Sequence, residues 1–222
     1  MRKLKVLIGM EYSGRSRDAF LAAGHDAMSC DLLETDVPGP HYKGDVRDVL
    51  HVGWDLAIFH PDCTYLCGSG IHWNSREGHV RFGGAETAAA LSFVRSLLLE
   101  QDQIPFIALE NPVGIISTNI MPASQYVQPY EFGDDASKKT GLWTRNLPRL
   151  VLDPAERVAG RIVEWPRGSG KMVERWSNQT DSGQNKLGPS DDRWKLRAET
   201  YPGIARAFTQ WADHINAVYD LI

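Results

Sequence analysis

Several residues of this chain that could do chemistry follow a short apolar run. "DLAI" (Asp55–Ile58) leads into "FHPDCTYLCGSG" (Phe59–Gly70), so Cys63 falls just past a strand end, between Asp62 and Thr64 and ahead of Gly68 and Gly70. Most cysteines are buried and inert. A loop thiol beside a ligand site is instead a candidate nucleophile. "PFIALEN" ends its apolar run at Glu110. That carboxylate either caps the next segment or hydrogen-bonds a bound base. Asp31 closes the run "DAMSCD", a position where an acid can take ribose hydroxyls. Asp45, in "YKGDVRDVL", reads either as the N-cap of a short helix or as a ligand contact. "EYSGRSRDAF" (Glu11–Phe20) holds only Gly14, so it is no G-x-G-x-x-G phosphate cradle. A turn before a helix can still bind a carboxylate on its N–H groups. Together these positions suggest an adenosyl ligand without a diphosphate.

Metal is not expected. Cys63, Cys67 and His72 lack a fourth ligand and fit no common zinc spacing. Three cysteines, Cys30 included, make no disulfide framework.

The elements that must position these residues are legible. "KLKVLIGM" reads as a first strand, "RDAFLAAG" as a helix closed by Gly24, and "DAMSCD" as a second strand. "DLAIFH", "PFIALEN" and part of "TGLWTRNLPRLVL" supply further strands, and "GGAETAAALSFVRSLLLEQ" a long helix. Alternating strands and helices imply an α/β fold, a mostly parallel sheet with helices on both faces. Ligands of such sheets sit at the carboxyl ends of the strands. Glu11–Gly14, Asp31, Asp45, Cys63 and Glu110 all fall on that edge. Between Leu152 and Arg197 periodicity fades, and a length without elements points to a functional lobe. "RAETYPGIARAFTQWADHINAVYDLI" then resumes helical spacing, with Pro202 near its first turn. It is expected to pack back on the sheet.

A chain of 222 residues suits one domain of ordinary size. No run approaches the ~18–20 apolar residues of a membrane span, and "MRKLKVLIGM" does not read as a signal peptide. The expected location is the cytoplasm. Net charge is −4, but residues 1–137 carry −8 and residues 138–206 carry +6. A basic segment on an acidic body can be a phosphate-contact surface or a solvated loop.

At these residues the chain resembles a DNA (cytosine-5) methyltransferase, in the short form common in bacteriophage genomes. "EYSGRSRDAFLAAGHDAMSCD" is similar to the family's first motif, with Tyr12 and Gly14 at its Phe and first Gly. "GDV" (Gly44–Val46) resembles the adenine-contacting motif, "HPDC" the Pro-Cys motif, and "ENP" (Glu110–Pro112) Glu-Asn-Val. "SKKTGLW" (Ser137–Trp143) stands at the basic motif and "TYPGIARAF" at the closing one. The order along the chain is also the family's. The chain departs from the pattern at Asp62, where Pro usually precedes Cys, at Ser16 in place of a glycine, and at Lys138 and Lys139 in place of arginines.

The resemblance implies a Rossmann-like class I fold using S-adenosylmethionine. Tyr12, Ser13, Gly14, Asp31, Asp45, Val46 and Pro61 would line the cofactor site, and Cys63, Glu110, Lys138 and Lys139 the catalytic one. Residues 1–151 plus 198–222 would form the catalytic domain, and 152–197 a minimal target-recognition segment reading a very short sequence. The partner would be DNA, double-stranded with a flipped cytosine or single-stranded, and the protein a monomer with no membrane contact. Three alternatives stay open: an amino-methyltransferase for cytosine N4 or adenine N6, a nucleotide or RNA cytosine methyltransferase, and an inactive DNA-binding relative.

Overall fold

The structure, a computed structural model, describes residues 2–68 and 84–221. Five parallel strands form its centre: β1 (Lys5–Gly9), β2 (Asp26–Asp31), β3 (His41–Lys43), β4 (Leu56–Phe59) and β5 (Phe106–Pro112). With β6 (Gln125–Val127) and β7 (Thr140–Arg145) they make a seven-stranded sheet in the order β3-β2-β1-β4-β5-β7-β6. β7 runs antiparallel to both of its neighbours. The described helices are α1 (Arg15–Ala22), α2 (Ala85–Arg95), α3 (Ile116–Asn119), α4 (Arg193–Ala198), α5 (Pro202–Ala207) and α6 (Gln210–Tyr219).

Period-two alternation sends the strand side chains into two cores. Val6, Ile8, Leu56, Ile58, Phe106 and Ala108 pack with Phe20 of α1, Ile204 of α5, and Trp211 and Ile215 of α6. Leu7, Ala57, Phe59, Ile107 and Leu109 pack on the other face with Val94 of α2 and Ile116 of α3. Strands buried on both faces read as continuous apolar runs, which is why "KVLIG", "LAIF" and "FIAL" lack polar alternation. The expected α/β architecture, mostly parallel with helices on both faces, is therefore present.

The chain winds outward from β1 to β3, then returns beside β1 as β4. This reversal is the topological switch point of a Rossmann-like sheet, and it opens a crevice at the carboxyl ends of β1 and β4.

Several elements differ from expectation. Glu110 lies inside β5 rather than at its end, because β7 pairs beyond the reach of β4, as far as Pro112↔Thr140. The segment 152–197 is not without elements. It holds a two-stranded sheet, β8 (Arg161–Glu164) with β9 (Met172–Arg175), and then α4. The closing helix is two, α5 and α6, with Pro202 at the start of α5. α2 continues through a π-type turn at Ser96–Glu100. No helix among the described residues is long and apolar enough to cross a membrane.

Candidate functional site: a groove at the strand ends

The turn after β1 is built around a buried carboxylate. Ser13 Oγ donates to Glu11, and the Gly14 N–H donates to its other oxygen at 3.1 Å. Gly14 takes φ +77°, and a Cβ there would stand 2.5 Å from Arg17 Nη2 and from Val37. The Arg17 side chain is fully buried and donates to Asp18 (2.8 Å), Ser29 (3.2 Å), Thr35 (3.2 Å) and the Val37 carbonyl (3.2 Å). It thereby pins the connection that leaves Asp31 against α1. Tyr12 is buried and donates to the Lys195 carbonyl at 3.2 Å. Its phenol is pushed up to about 12, first by burial and then by the surrounding carboxylates of Asp36, Glu199, Asp31 and Glu11. Met10, just past β1, holds φ +59°, a left-handed conformation that costs a non-glycine residue ~1–3 kcal/mol.

Asp31 accepts the Leu33 N–H at 2.9 Å through Oδ1. Burial pushes its carboxyl up, against that bond and the nearby His41 and His60 rings. Leu32 and Leu33 follow, both exposed. Asp45 caps the short 3-10 turn Val46–Asp48: its Oδ1 accepts from the Arg47 N–H and Nε at 2.9 Å each, and its Oδ2 from Arg47 Nη2. These bonds hold its carboxyl down at about 2. The capping role is thus present, and Asp45 also borders the groove.

Cys63 opens a turn in which the Leu66 and Cys67 N–H groups donate to its carbonyl at 3.0 and 2.9 Å. A hydrogen bond with the Cys67 thiol, then burial, pushes the Cys63 thiol far up, while Lys138 pulls the other way. Cys63 is therefore held as a protonated thiol at neutral pH. Asn111 donates to the Pro61 carbonyl at 2.7 Å, joining β5 to the Cys63 loop. Glu110 Oε2 lies 3.1 Å from His60 Nδ1. Burial pushes the Glu110 carboxyl up, but the His60 bond, Lys138 and Thr140 outweigh it and keep it below its ordinary value. An ionised Glu110 makes Nδ1–H the donor.

One groove connects these residues. It is bordered by Tyr12, Asp31, Asp45, Val46, Pro61, Cys63 and Lys138. A recess opening beside Cys63 adds Ser13, Glu110 and Asn111. Gly14 contributes through the turn and not through the lining. Lys138 Nζ donates to the carbonyls of Arg197 (2.9 Å) and Glu199 (3.4 Å), so it also ties down the chain after α4. Lys139 does not line the groove; its ammonium sits 4.9 Å from the Tyr126 ring centroid. The glycine-rich stretch beyond Gly68, with Gly70 and His72, lies outside the described residues. Among those described, no group of three or more His, Cys, Asp and Glu is placed to hold a metal ion.

Sequence reasoning gave no role of their own to Glu11, His60 and Asn111, which it named only within the Glu11–Gly14 turn, "HPDC" and "ENP". Each is polar and adjoins a strand end on the edge already singled out, and that placement was the available signal.

The 152–197 segment reaches the groove through Asn178, Gln179, Lys186, Trp194, Leu196 and Arg197. Its three tryptophans differ in role. Trp176 is buried, stacked on Tyr130 at 3.8 Å, and donates to the Val158 carbonyl. Trp194 is half exposed beside Tyr12, ring centroids 6.2 Å apart. Trp165 precedes the turn between β8 and β9, where Arg167 and Lys171 are exposed.

No family model and no curated protein matches the chain. Among solved structures it is similar to a mutant of Spodoptera frugiperda DNMT2, at 14% identity and a TM-score of 0.36, over 64% of this chain and 49% of that one. It is also similar to WbdD in complex with a kinase inhibitor, at 17% identity and a TM-score of 0.36, over 68% of this chain and 38% of that one. The chain thus spans half or less of either protein.

Proposed function

We propose that this chain is an S-adenosylmethionine-dependent methyltransferase that acts on carbon 5 of cytosine in DNA, with Cys63 as the nucleophile. One observation carries the reading. A single groove at the β1/β4 switch point joins Asp31, Asp45 and Val46 to Cys63 and Lys138, with Glu110 in the adjoining recess.

The cofactor half of the groove fits an adenosyl group. Asp31 borders the groove at the end of β2, where its carboxylate can accept ribose hydroxyls, while Leu32 and Leu33 offer apolar surface beside it. When bound there, S-adenosylmethionine would supply an electrophilic methyl group.

The protein's own groups carry the rest. Carbon 5 of cytosine is a poor nucleophile until a thiolate adds at carbon 6 and makes it enamine-like. Cys63 Sγ would form that bond after giving up its proton, a loss that Lys138 favours. The displaced electron pair runs toward N3, where the Glu110 carboxyl, protonated by then, donates a hydrogen bond. When water takes the carbon-5 proton, the C–H electron pair re-forms the 5,6 double bond, the carbon–sulfur bond breaks and Cys63 leaves as a thiolate.

A base inside a duplex cannot reach this recess, so it must flip out, at a few kcal/mol, or arrive single-stranded. The 152–197 segment walls one side of the groove and carries exposed Arg167 and Lys171 at its hairpin turn. This supports its assignment as the DNA-contacting lobe, with residues 1–151 and 198–222 as the catalytic part.

The test is expression in a host lacking 5-methylcytosine, followed by base-resolution sequencing of its DNA. Wild-type protein should introduce 5-methylcytosine in a very short context, and Cys63→Ala should not. Methylation of an exocyclic amine, undiminished in Cys63→Ala, would overturn the assignment. Labelled-methyl transfer to RNA or dCMP in preference to duplex DNA would move the substrate.

A further inference from the structure

The acid of the proposed reaction has a dedicated neighbour. His60 and Glu110 face each other across the β4–β5 boundary, Nδ1 to Oε2 at 3.1 Å, with side chains 9% and 13% exposed. The imidazole is backed by Phe208, ring centroids 6.2 Å apart. Its Nε2 is buried and has no hydrogen-bond partner. A buried nitrogen left without a partner is costly and calls for an explanation, and the bond at the other nitrogen supplies one.

We propose that His60 is a positioning residue for Glu110, its Nδ1–H holding the carboxylate in one orientation and setting when that carboxylate takes up a proton. The inference rests on the reading of Glu110 as the acid at N3. A carboxylate in the recess is free to rotate and to pick up a proton from water as soon as burial outweighs its partners. The His60 bond opposes both, because it is made to the charged form. When a base enters and charge builds at N3, the proton that Glu110 has taken from water is shared with N3. It returns to the carboxylate when the thiolate leaves.

The other titratable and charged groups near the pair are Lys138 before β7, Asp31 at the end of β2, Asp62 and Cys63 after β4, Glu11 after β1 and Arg197 in α4. Loss of Lys138 would also move Glu110, so the test must isolate the Nδ1 donor.

Asparagine at 60 places an amide donor near the position of Nδ1 and cannot titrate. Leucine keeps the apolar packing on Phe208 and has no donor. The experiment is a carbon-13 NMR titration of the Glu110 carboxyl in the free protein, assigned by loss of its signal in Glu110→Gln. Beside it, the pH profile of covalent capture is measured with DNA containing 5-fluorocytosine.

Glu110 in wild type and His60→Asn should titrate below the ordinary glutamate range. In His60→Leu, or in His60→Ala should leucine fail to fold, it should titrate at least one pH unit higher. The capture profile should move by the same amount, with thermal midpoints alike in His60→Asn and wild type. An unchanged Glu110 titration in both donorless variants would overturn the proposal. The titration needs no methyl transfer, so it can fail while the assigned reaction stands, and the reverse.

Discussion

Asn111 Nδ2 donates to the Pro61 carbonyl at 2.7 Å, a buried bond from the strand bearing Glu110 to the loop bearing Cys63. The Gly68 N–H to the Val113 carbonyl (2.9 Å) and the Ile115 N–H to the Leu66 carbonyl (2.8 Å) extend the same connection. Asn111 is 1% exposed, so nothing in the solvent can replace it. Asn111→Ala should cost about 1–3 kcal/mol, the desolvation cost of a buried carbonyl left unpaired. Urea denaturation checks the stability. Covalent capture by 5-fluorocytosine DNA should also slow. Unchanged stability would show that the loop is held elsewhere.

The Cys63 thiol is held protonated first by the Cys67 sulfur and then by burial. Cys67→Ala should therefore make Cys63 more reactive, with faster iodoacetamide labelling at pH 7. Below a raised thiol pKa the thiolate fraction grows about tenfold per pH unit, so labelling of wild-type Cys63 should climb steadily through neutral pH. Cys67→Ala should still form the 5-fluorocytosine adduct, and Cys63→Ala should form none. Capture by Cys63→Ala would move the nucleophile.

Asp31 and Asp45 should respond differently to pH. Burial raises the Asp31 carboxyl, whereas Arg47 holds Asp45 at about 2. If Asp31 takes ribose hydroxyls as a carboxylate, cofactor affinity should fall as pH drops through a value above the ordinary aspartate range. Asp45 stays ionised throughout that window and contributes no such dependence. Asp31→Ala should weaken S-adenosylmethionine binding by roughly 1.5–3 kcal/mol per charge-assisted hydrogen bond. Calorimetry from pH 4 to pH 7 on wild type and Asp31→Ala separates the two, and equal affinities would remove Asp31 from the site.

If the 152–197 segment contacts DNA as proposed, its exposed basic residues and its buried tryptophan should separate in their effects. Arg167→Ala and Lys171→Ala should each weaken DNA binding uniformly across sequences and lower the slope of log affinity against log salt by about one. Trp176→Ala should instead destabilise the fold by roughly 3–5 kcal/mol, because it removes a buried ring stacked on Tyr130. Fluorescence anisotropy across a salt series and thermal melts would tell these effects apart. An unchanged salt slope in both basic variants would place the DNA contact elsewhere.

The sequence by itself determined the α/β class, the central strands and the polar residues that follow their apolar runs. Burial of a whole strand is written locally, as in "KVLIG", "LAIF" and "FIAL", so β1, β4 and β5 were legible without partners. Asp31, Cys63 and Glu110 were legible because a polar residue directly after such a run needs a reason. The three-residue strands β3 ("HYK") and β6 ("QYV") were not, since neither contains a run long enough to show burial.

Only the tertiary structure decided which neighbours meet. Lys138 and Lys139 are adjacent, and the sequence cannot say which of the two faces the groove. The pairing of β7 with β5, Thr140 opposite Pro112, sets that parity and brings Lys138 to Cys63 while Lys139 turns to Tyr126. The same holds for His60 and Glu110, fifty residues apart in sequence. Their contact follows from β4 and β5 lying side by side in register, Phe59 opposite Leu109. A side chain's own preferences are local, but a hydrogen bond between strand ends exists only once two distant segments have paired.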